Sequence, residues 1–92
     1  MSELDIRLDR DAGRFEAVVE GHSCVLDFTI DDDVVSMNHV GVPKAVGGRG
    51  IAGRLTRHAL DWAREQGLQV RARCPYVARW IERHPEHQNL LT

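Results

Sequence analysis

The residues best suited to chemistry are grouped in a glycine-rich run and around one cysteine. Four glycines fall within the seven positions from Gly47 to Gly53, and the run leads directly into a helical pattern. A glycine-rich turn at a helix start presents backbone N–H groups that have no intrahelical partner, and the helix dipole adds positive charge there. The run is therefore a candidate phosphate-binding loop.

Cys74 is the candidate nucleophile. It precedes Pro75 at the predicted boundary between a strand and a helix, a position that favours the reactive thiolate. The residue pattern alone leaves a buried packing role open as the alternative. Cys24 lies inside an alternating strand pattern and is expected to be a small core residue. The two cysteines lack any paired spacing, so both are expected to be free thiols rather than disulfide or zinc ligands.

Two further side chains suit proton transfer. His39 lies near the end of the fourth predicted strand, and a neutral imidazole there is a candidate general base, with a plain surface histidine as the alternative. Tyr76 follows Cys74 by two positions and either packs on the sheet or donates a phenolic proton. His84 and His87 are not expected to bind metal, because Pro85 separates them and no fourth ligand is apparent.

Several elements are needed to position these residues. Alternating apolar residues predict three strands joined by tight turns, carrying Leu4, Ile6 and Leu8, then Phe15, Ala17 and Val19, then Cys24, Leu26, Phe28 and Ile30. A fourth strand is predicted over Val34 to Val42, where Gly41 indicates a bulge or the close approach of another backbone.

The second half of the chain has a helical and a strand pattern. Apolar residues at helical spacing predict a long helix from about Gly50 to Gln66, stopped by Gly67. A fifth strand follows at 68–73, and a short helix after Cys74 ends near His84. The crossover from the fourth strand through the long helix should make the fourth and fifth strands parallel.

Composition narrows the class of protein. The 92 residues are 42% hydrophobic and 28% charged, as expected for a single globular domain over 1–92. A net charge of −2 argues against a nucleic-acid-binding protein. No apolar run approaches the roughly 18 residues that span a bilayer, and the N-terminus lacks the pattern of a signal peptide. The expectation is a cytoplasmic protein without membrane partners.

Two familiar phosphate-binding motifs fit the glycine run poorly. The spacing of Gly48, Gly50 and Gly53 matches a dinucleotide-binding fingerprint, but the strand beyond the helix carries Arg71 and Arg73 rather than an acidic residue. The chain is also too short for a second nucleotide-binding half. A nucleoside triphosphatase is not expected, because Arg54-Leu55 stands where the lysine and hydroxyl residue are required.

The loop resembles that of the GNAT superfamily of acetyl-CoA-dependent acetyltransferases, Arg/Gln-x-x-Gly-x-Gly/Ala. Here it reads Gly47-Gly48-Arg49-Gly50-Ile51-Ala52, with Gly47 where the family usually has Arg or Gln. The segments Val42-Pro43, Cys74-Pro75-Tyr76 and Ile81-Glu82-Arg83-His84-Pro85-Glu86 resemble those of the superfamily's small stand-alone branch. The resemblance runs from roughly His39 to Leu91.

This resemblance implies an α+β fold, a compact mixed α/β architecture. A mostly antiparallel sheet would carry one long helix after the fourth strand and a short helix after the fifth. It also implies acetyl-CoA as cosubstrate, held by Val42, Gly47, Gly48, Arg49, Gly50, Ile51, Ala52, Gly53 and Tyr76.

The activity implied is acetyl transfer from acetyl-CoA to an amine acceptor of unknown identity. In this branch the cysteine corresponding to Cys74 has been proposed as an acetyl acceptor. The first two helices of the full-size enzyme have no counterpart here, which keeps open a non-catalytic acyl-CoA-binding module. A monomer and a homodimer are both compatible with the sequence.

Overall fold

The chain folds as a sheet followed by helices. The computed structural model describes residues 4–92. In chain order the elements are β1 (Arg7–Asp9), β2 (Arg14–Val19), β3 (His22–Asp31), β4 (Val34–Gly41), a 3₁₀ turn (Lys44–Val46), α1 (Ile51–Glu65), β5 (Gln69–Ala72), α2 (Pro75–Glu82) and a 3₁₀ helix (Pro85–Leu90). Strand order in the sheet is β1-β2-β3-β4-β5, with β4 and β5 parallel and the other pairs antiparallel. This arrangement confirms the predicted fold.

The core lies between α1 and one face of the sheet. The apolar face of α1 is buried as predicted, and Trp62 packs edge-on against Phe15 with ring centroids 5.5 Å apart. Phe15 also contacts Phe28, at 5.4 Å. Each large side chain buried in this way contributes about 1.5–3 kcal/mol to stability. The helix ends at Glu65, and just beyond it the φ of +71° at Gly67 lets the N–H of Leu68 donate to the Ala63 carbonyl.

The first strand and the end of β3 differ from the sequence prediction. β1 begins only at Arg7 and all three of its residues are exposed, while Leu4 and Ile6 pack against the core from outside the strand. Ile30, predicted to face inward, is 38% exposed. Pairing of β2 with β3 ends at Asp27, so Ile30 has a neighbouring strand on one side only.

The predicted irregularity of β4 is a bulge at Asn38 rather than at Gly41. Asp27 pairs with His39 and Phe28 pairs with Met37, which leaves Asn38 as the extra residue. Gly41 instead leaves room for the His39 side chain, because a Cβ at position 41 would lie 3.0 Å from Nε2 of His39. The bulge lets Met37 and Val40 face the core although they are three residues apart.

The C-terminal tail is part of the domain. The 3₁₀ helix Pro85–Leu90 buries His87 and Leu90, and Leu91 pairs in parallel with Val70 of β5. The short tail has no periodic pattern from which this could be predicted. Among the helices of residues 4–92, none combines the length and apolar composition needed to cross a bilayer.

Candidate functional site

The glycine loop has the backbone conformation that its sequence suggested. Gly48 and Gly50 both lie in the left-handed region, with φ of +76° and +74°. A residue with a Cβ would be strained there by about 1–2 kcal/mol. Apart from the adjacent residues of the chain, nothing lies within 4 Å of the position that a Cβ would occupy at either glycine. The loop backbone is therefore open to a ligand on this side.

The loop ends as the N-cap of α1. Gly50 is the N-cap residue and has no side chain with which to cap the helix, so the first-turn N–H groups of Ile51, Ala52 and Gly53 keep their capacity to donate. The first turn contains no acidic residue. These amides and the positive end of the helix dipole make the start of α1 a site suited to an anion.

The loop is anchored in the core just before its glycines. Val46 is fully buried, and its N–H donates to the Pro43 carbonyl at 3.1 Å. The N–H of Gly47 donates to the Lys44 carbonyl at 3.1 Å. This short 3₁₀ turn connects Val42, at the end of β4, to the loop and leaves the segment from Gly47 to Gly50 as its exposed part.

Arg49 is paired with a residue that the sequence did not identify. Its guanidinium donates two hydrogen bonds to the carboxylate of Glu20 in the turn between β2 and β3, at 2.7 and 3.3 Å. This hydrogen bonding, together with the opposite charge, lowers the pKa of Glu20 and raises the pKa of Arg49. The predicted loop arginine therefore contacts a hairpin 29 residues away in the chain.

The parallel strands β4 and β5 separate toward the end of the sheet at which β4 leads to the glycine loop. Their last paired residues are Met37 and Ala72, after which the N–H groups of Arg73 and Cys74 both donate to the Met37 carbonyl. From Asn38 onward β4 is paired only with β3 in the described sheet. The two parallel strands thus separate beyond Met37 and Ala72, where β5 ends and α2 begins shortly after.

Cys74 occupies the predicted position between strand and helix. It is the N-cap of α2, with Pro75 as the first helical residue, and it is 7% exposed. Cys24 is fully buried in β3, and this burial raises the pKa of its thiol. Both cysteines are buried. That Cys74 is the more reactive of the two stays a prediction.

His39 lies on the other face of the sheet from the core. It directly follows the bulged Asn38, is exposed, and pairs in register with Asp27, whose carboxylate is 2.7 Å from Nε of Arg14. The N–H of Cys74 donates to the carbonyl of Met37, two residues before His39, so both residues follow the last paired positions of the parallel strands.

Tyr76 reaches the start of α1 from α2. A Cβ at Gly53 would lie 3.3 Å from the Tyr76 hydroxyl oxygen and 3.4 Å from Nε1 of Trp80. Gly53 therefore permits close packing of the two helices, besides offering its N–H in the first turn. Trp80 also stacks on His84 with ring centroids 3.6 Å apart.

The histidines near the C-terminus make structural contacts. Nδ1 of His84 lies 2.6 Å from the Trp80 carbonyl oxygen, and Nε2 of the buried His87 lies 3.0 Å from Oδ1 of Asp61. Asp61 thus pairs with His87 rather than with an arginine of its own helix. Arg64 instead donates to the Glu86 carbonyl oxygen and to Asn89 Oδ1. Within residues 4–92 no three metal-ligating side chains come together.

Comparisons with known proteins show the family and the fold of this chain. A family model described as GCN5-related N-acetyl-transferase matches residues 14–90. Protein NATD1 of Bos taurus and of Homo sapiens is 31% identical over 90 residues, covering 92% of this chain and 80% of each relative. Protein NATD1 of Gallus gallus is 30% identical, with 92% and 82% covered. The NMR solution structure of a GCN5-like protein from Staphylococcus aureus superposes with a TM-score of 0.78 at 23% identity, covering 100% of this chain and 91% of that one, which shows a shared fold.

Proposed function

Because this chain belongs to the GCN5-related N-acetyltransferase family, we propose that it binds acetyl-CoA and transfers the acetyl group to an amine. The family and the fold support acetyl transfer in general. The observation that carries the specific proposal is the opening between β4 and β5 beside the glycine loop and the start of α1. Backbone amides suited to an anion there accompany the point at which the two parallel strands separate.

The proposed seat of the CoA diphosphate is formed by the backbone amides of Gly48, Gly50, Ile51 and Ala52. Left-handed glycines turn the chain there, and the uncapped start of α1 adds N–H groups. Hydrogen bonds from backbone N–H groups to an anion are among the stronger ones in proteins. Diphosphate binding at this loop therefore needs no lysine.

The proposed path of the pantetheine arm runs from this seat into the opening between β4 and β5. Beyond Met37, β4 lacks β5 as a neighbour, so backbone groups on that side are free to bond to the amides of the arm. Val42 borders the path at the end of β4, and Tyr76 borders it from α2. The thioester would then lie near the opening where Cys74 and His39 are found.

In direct transfer, the amine nitrogen forms a bond to the thioester carbonyl carbon and the carbon–sulfur bond breaks. His39, as neutral imidazole, takes the proton that the amine loses, and Tyr76 donates a proton to the departing sulfur. The exposed face of the sheet around His39 gives the acceptor an approach to this opening. The alternative path forms an acetyl-thioester on Cys74 first, releases CoA, and passes the acetyl group to the amine in a second step.

The proposal is tested by ligand-dependent thermal melts and by mass spectrometry. Acetyl-CoA should raise the melting temperature because it binds only the folded chain. Intact and digested protein incubated with acetyl-CoA should then show whether Cys74 gains an acetyl group. A melt that responds to NADPH or ATP but not to acetyl-CoA would contradict the proposal and restore the dinucleotide interpretation.

One observation favours a second function, a non-catalytic acyl-CoA-binding module. In residues 4–92 no helix precedes the 3₁₀ turn at Lys44, so the described chain offers no helical wall for an acceptor pocket beside the first strands. Such a module would show the same thermal shift with acetyl-CoA. It would release no free CoA thiol with any member of a panel of small amines, polyamines and lysine peptides.

A further inference from the structure

The turn between β2 and β3 contains an unfavourable residue for its conformation. Glu20 and Gly21 connect the paired residues Val19 and His22, and both have positive φ, at +50° and +80°. Two-residue hairpin turns of this kind favour asparagine, aspartate or glycine, and glutamate gains nothing from this backbone. Asp32 is the other non-glycine residue with positive φ in the described chain, and aspartate tolerates that conformation. Glu20 is thus the exception that needs an explanation.

The side chain of Glu20 supplies that explanation. Its carboxylate accepts two hydrogen bonds from the guanidinium of Arg49, which stands between the left-handed glycines Gly48 and Gly50. Asparagine is one methylene shorter and neutral, and glycine has no side chain. The pair is 63% exposed at Glu20 and 46% at Arg49, and ion pairs this exposed add little to overall stability. We therefore expect the Glu20–Arg49 pair to act on the conformation of the loop rather than on the stability of the whole domain.

We propose that Glu20 is a positioning residue for the phosphate-binding loop, an inference that rests on the proposed function. The two-point contact fixes the direction of the Arg49 side chain and so restrains the otherwise adaptable glycine backbone on both sides of it. It keeps the guanidinium beside the loop, so that the amides at the start of α1 remain open. Arg49 in turn neutralises the carboxylate, which would otherwise repel an arriving diphosphate.

The test uses Glu20→Asn, because asparagine suits the turn but cannot reproduce the two-point contact. The melting temperature without ligand should stay equal or rise, whereas the Kd for acetyl-CoA should increase roughly tenfold through loss of preorganisation. Weaker acetyl-CoA binding without a lower melting temperature distinguishes a positioning role of Glu20 from a role in overall stability. Glu20→Gly, which accepts positive φ without strain, gives the same readout should the asparagine variant fold poorly.

Asp32→Asn is the matched control. It removes one carboxylate and places the same residue at a positive φ of +56°, in the β3–β4 turn at the opposite end of the sheet. This variant should bind acetyl-CoA as the wild type does. An equal loss of affinity in both variants would assign the effect to net charge and overturn the proposal.

A ligand-free readout separates this inference from the proposed function. Limited trypsin digestion followed by mass spectrometry should show cleavage after Arg49 about threefold faster in Glu20→Asn, since the loop is less restrained. If wild-type protein ignores acetyl-CoA, the proposed function fails while this digestion still tests the restraint. Tighter acetyl-CoA binding in Glu20→Asn would overturn the proposal, because Glu20 would then compete with the diphosphate for Arg49. Unchanged Kd and unchanged cleavage would overturn it as well.

Discussion

Gly50→Ala perturbs the proposed diphosphate seat at a single atom. Gly50 has φ of +74° and ψ of 15°, and apart from its chain neighbours nothing lies within 4 Å of the added Cβ, so a clash with another part of the fold is not involved. The expected loss of stability is the left-handed strain alone, about 1–2 kcal/mol. For a domain of this size each kcal/mol lowers the melting temperature by about 4–8 °C. We also expect the new methyl group to block the close approach of a phosphate to the loop amides.

Gly67→Ala provides a matched control at the other end of α1. Gly67 has φ of +71° and also has open space around its missing Cβ, so its strain is the same. Melting curves of both variants, recorded with and without saturating acetyl-CoA, should show similar losses of stability. Only Gly50→Ala should lose the increase in melting temperature that acetyl-CoA produces. If acetyl-CoA raises the melting temperature of Gly50→Ala as much as that of the wild type, the placement of the diphosphate on these amides is refuted. If both variants lose the ligand-induced rise in melting temperature, the loss is due to general destabilisation.

Three further predictions follow from the same site. Alkylation near pH 7, followed by mass spectrometry, should modify Cys74 faster than Cys24, and CoA should slow the modification of Cys74. Equal alkylation rates of the two cysteines would refute the activated thiol. The Cys74→Ala variant should keep CoA binding but lose covalent acetylation. Charge reversal by Arg57→Glu should weaken CoA binding less than charge reversal by Arg49→Glu, because Arg57 lies more than one helical turn beyond the amides of Ile51 and Ala52. Equal effects of the two substitutions would show that the cofactor is misplaced. The pKa of Glu20 is lowered from its usual 4.5, so its pairing contributes fully above that value and is lost as pH falls through the lower folded value. The difference in acetyl-CoA affinity between wild type and Glu20→Gln should therefore be constant near neutral pH and vanish in acid. A difference that persists in acid would show that the charge of Glu20 is not its cause.

Patterns that depend on neighbouring residues were readable in the sequence. The glycine-to-helix transition, the buried face of α1 and its stop at Gly67 follow from backbone freedom and from helical spacing. Alternation identified β2 and most of β3, and the sequence of Cys74 and Pro75 identified the start of α2. Each of these features is decided within one or two turns of chain, where side-chain type and backbone conformation are directly coupled.

Features made by contacts between distant segments required the tertiary structure. The register of β3 against β4 decides that Asn38, rather than Gly41, is the bulged residue, and the shorter β2 leaves Ile30 exposed. The pairing of Glu20 with Arg49 joins a hairpin turn to a loop 29 residues later. Nothing in the local pattern of either segment encodes this contact, because it exists only once the β2–β3 turn and the end of β4 have been brought to the same end of the sheet.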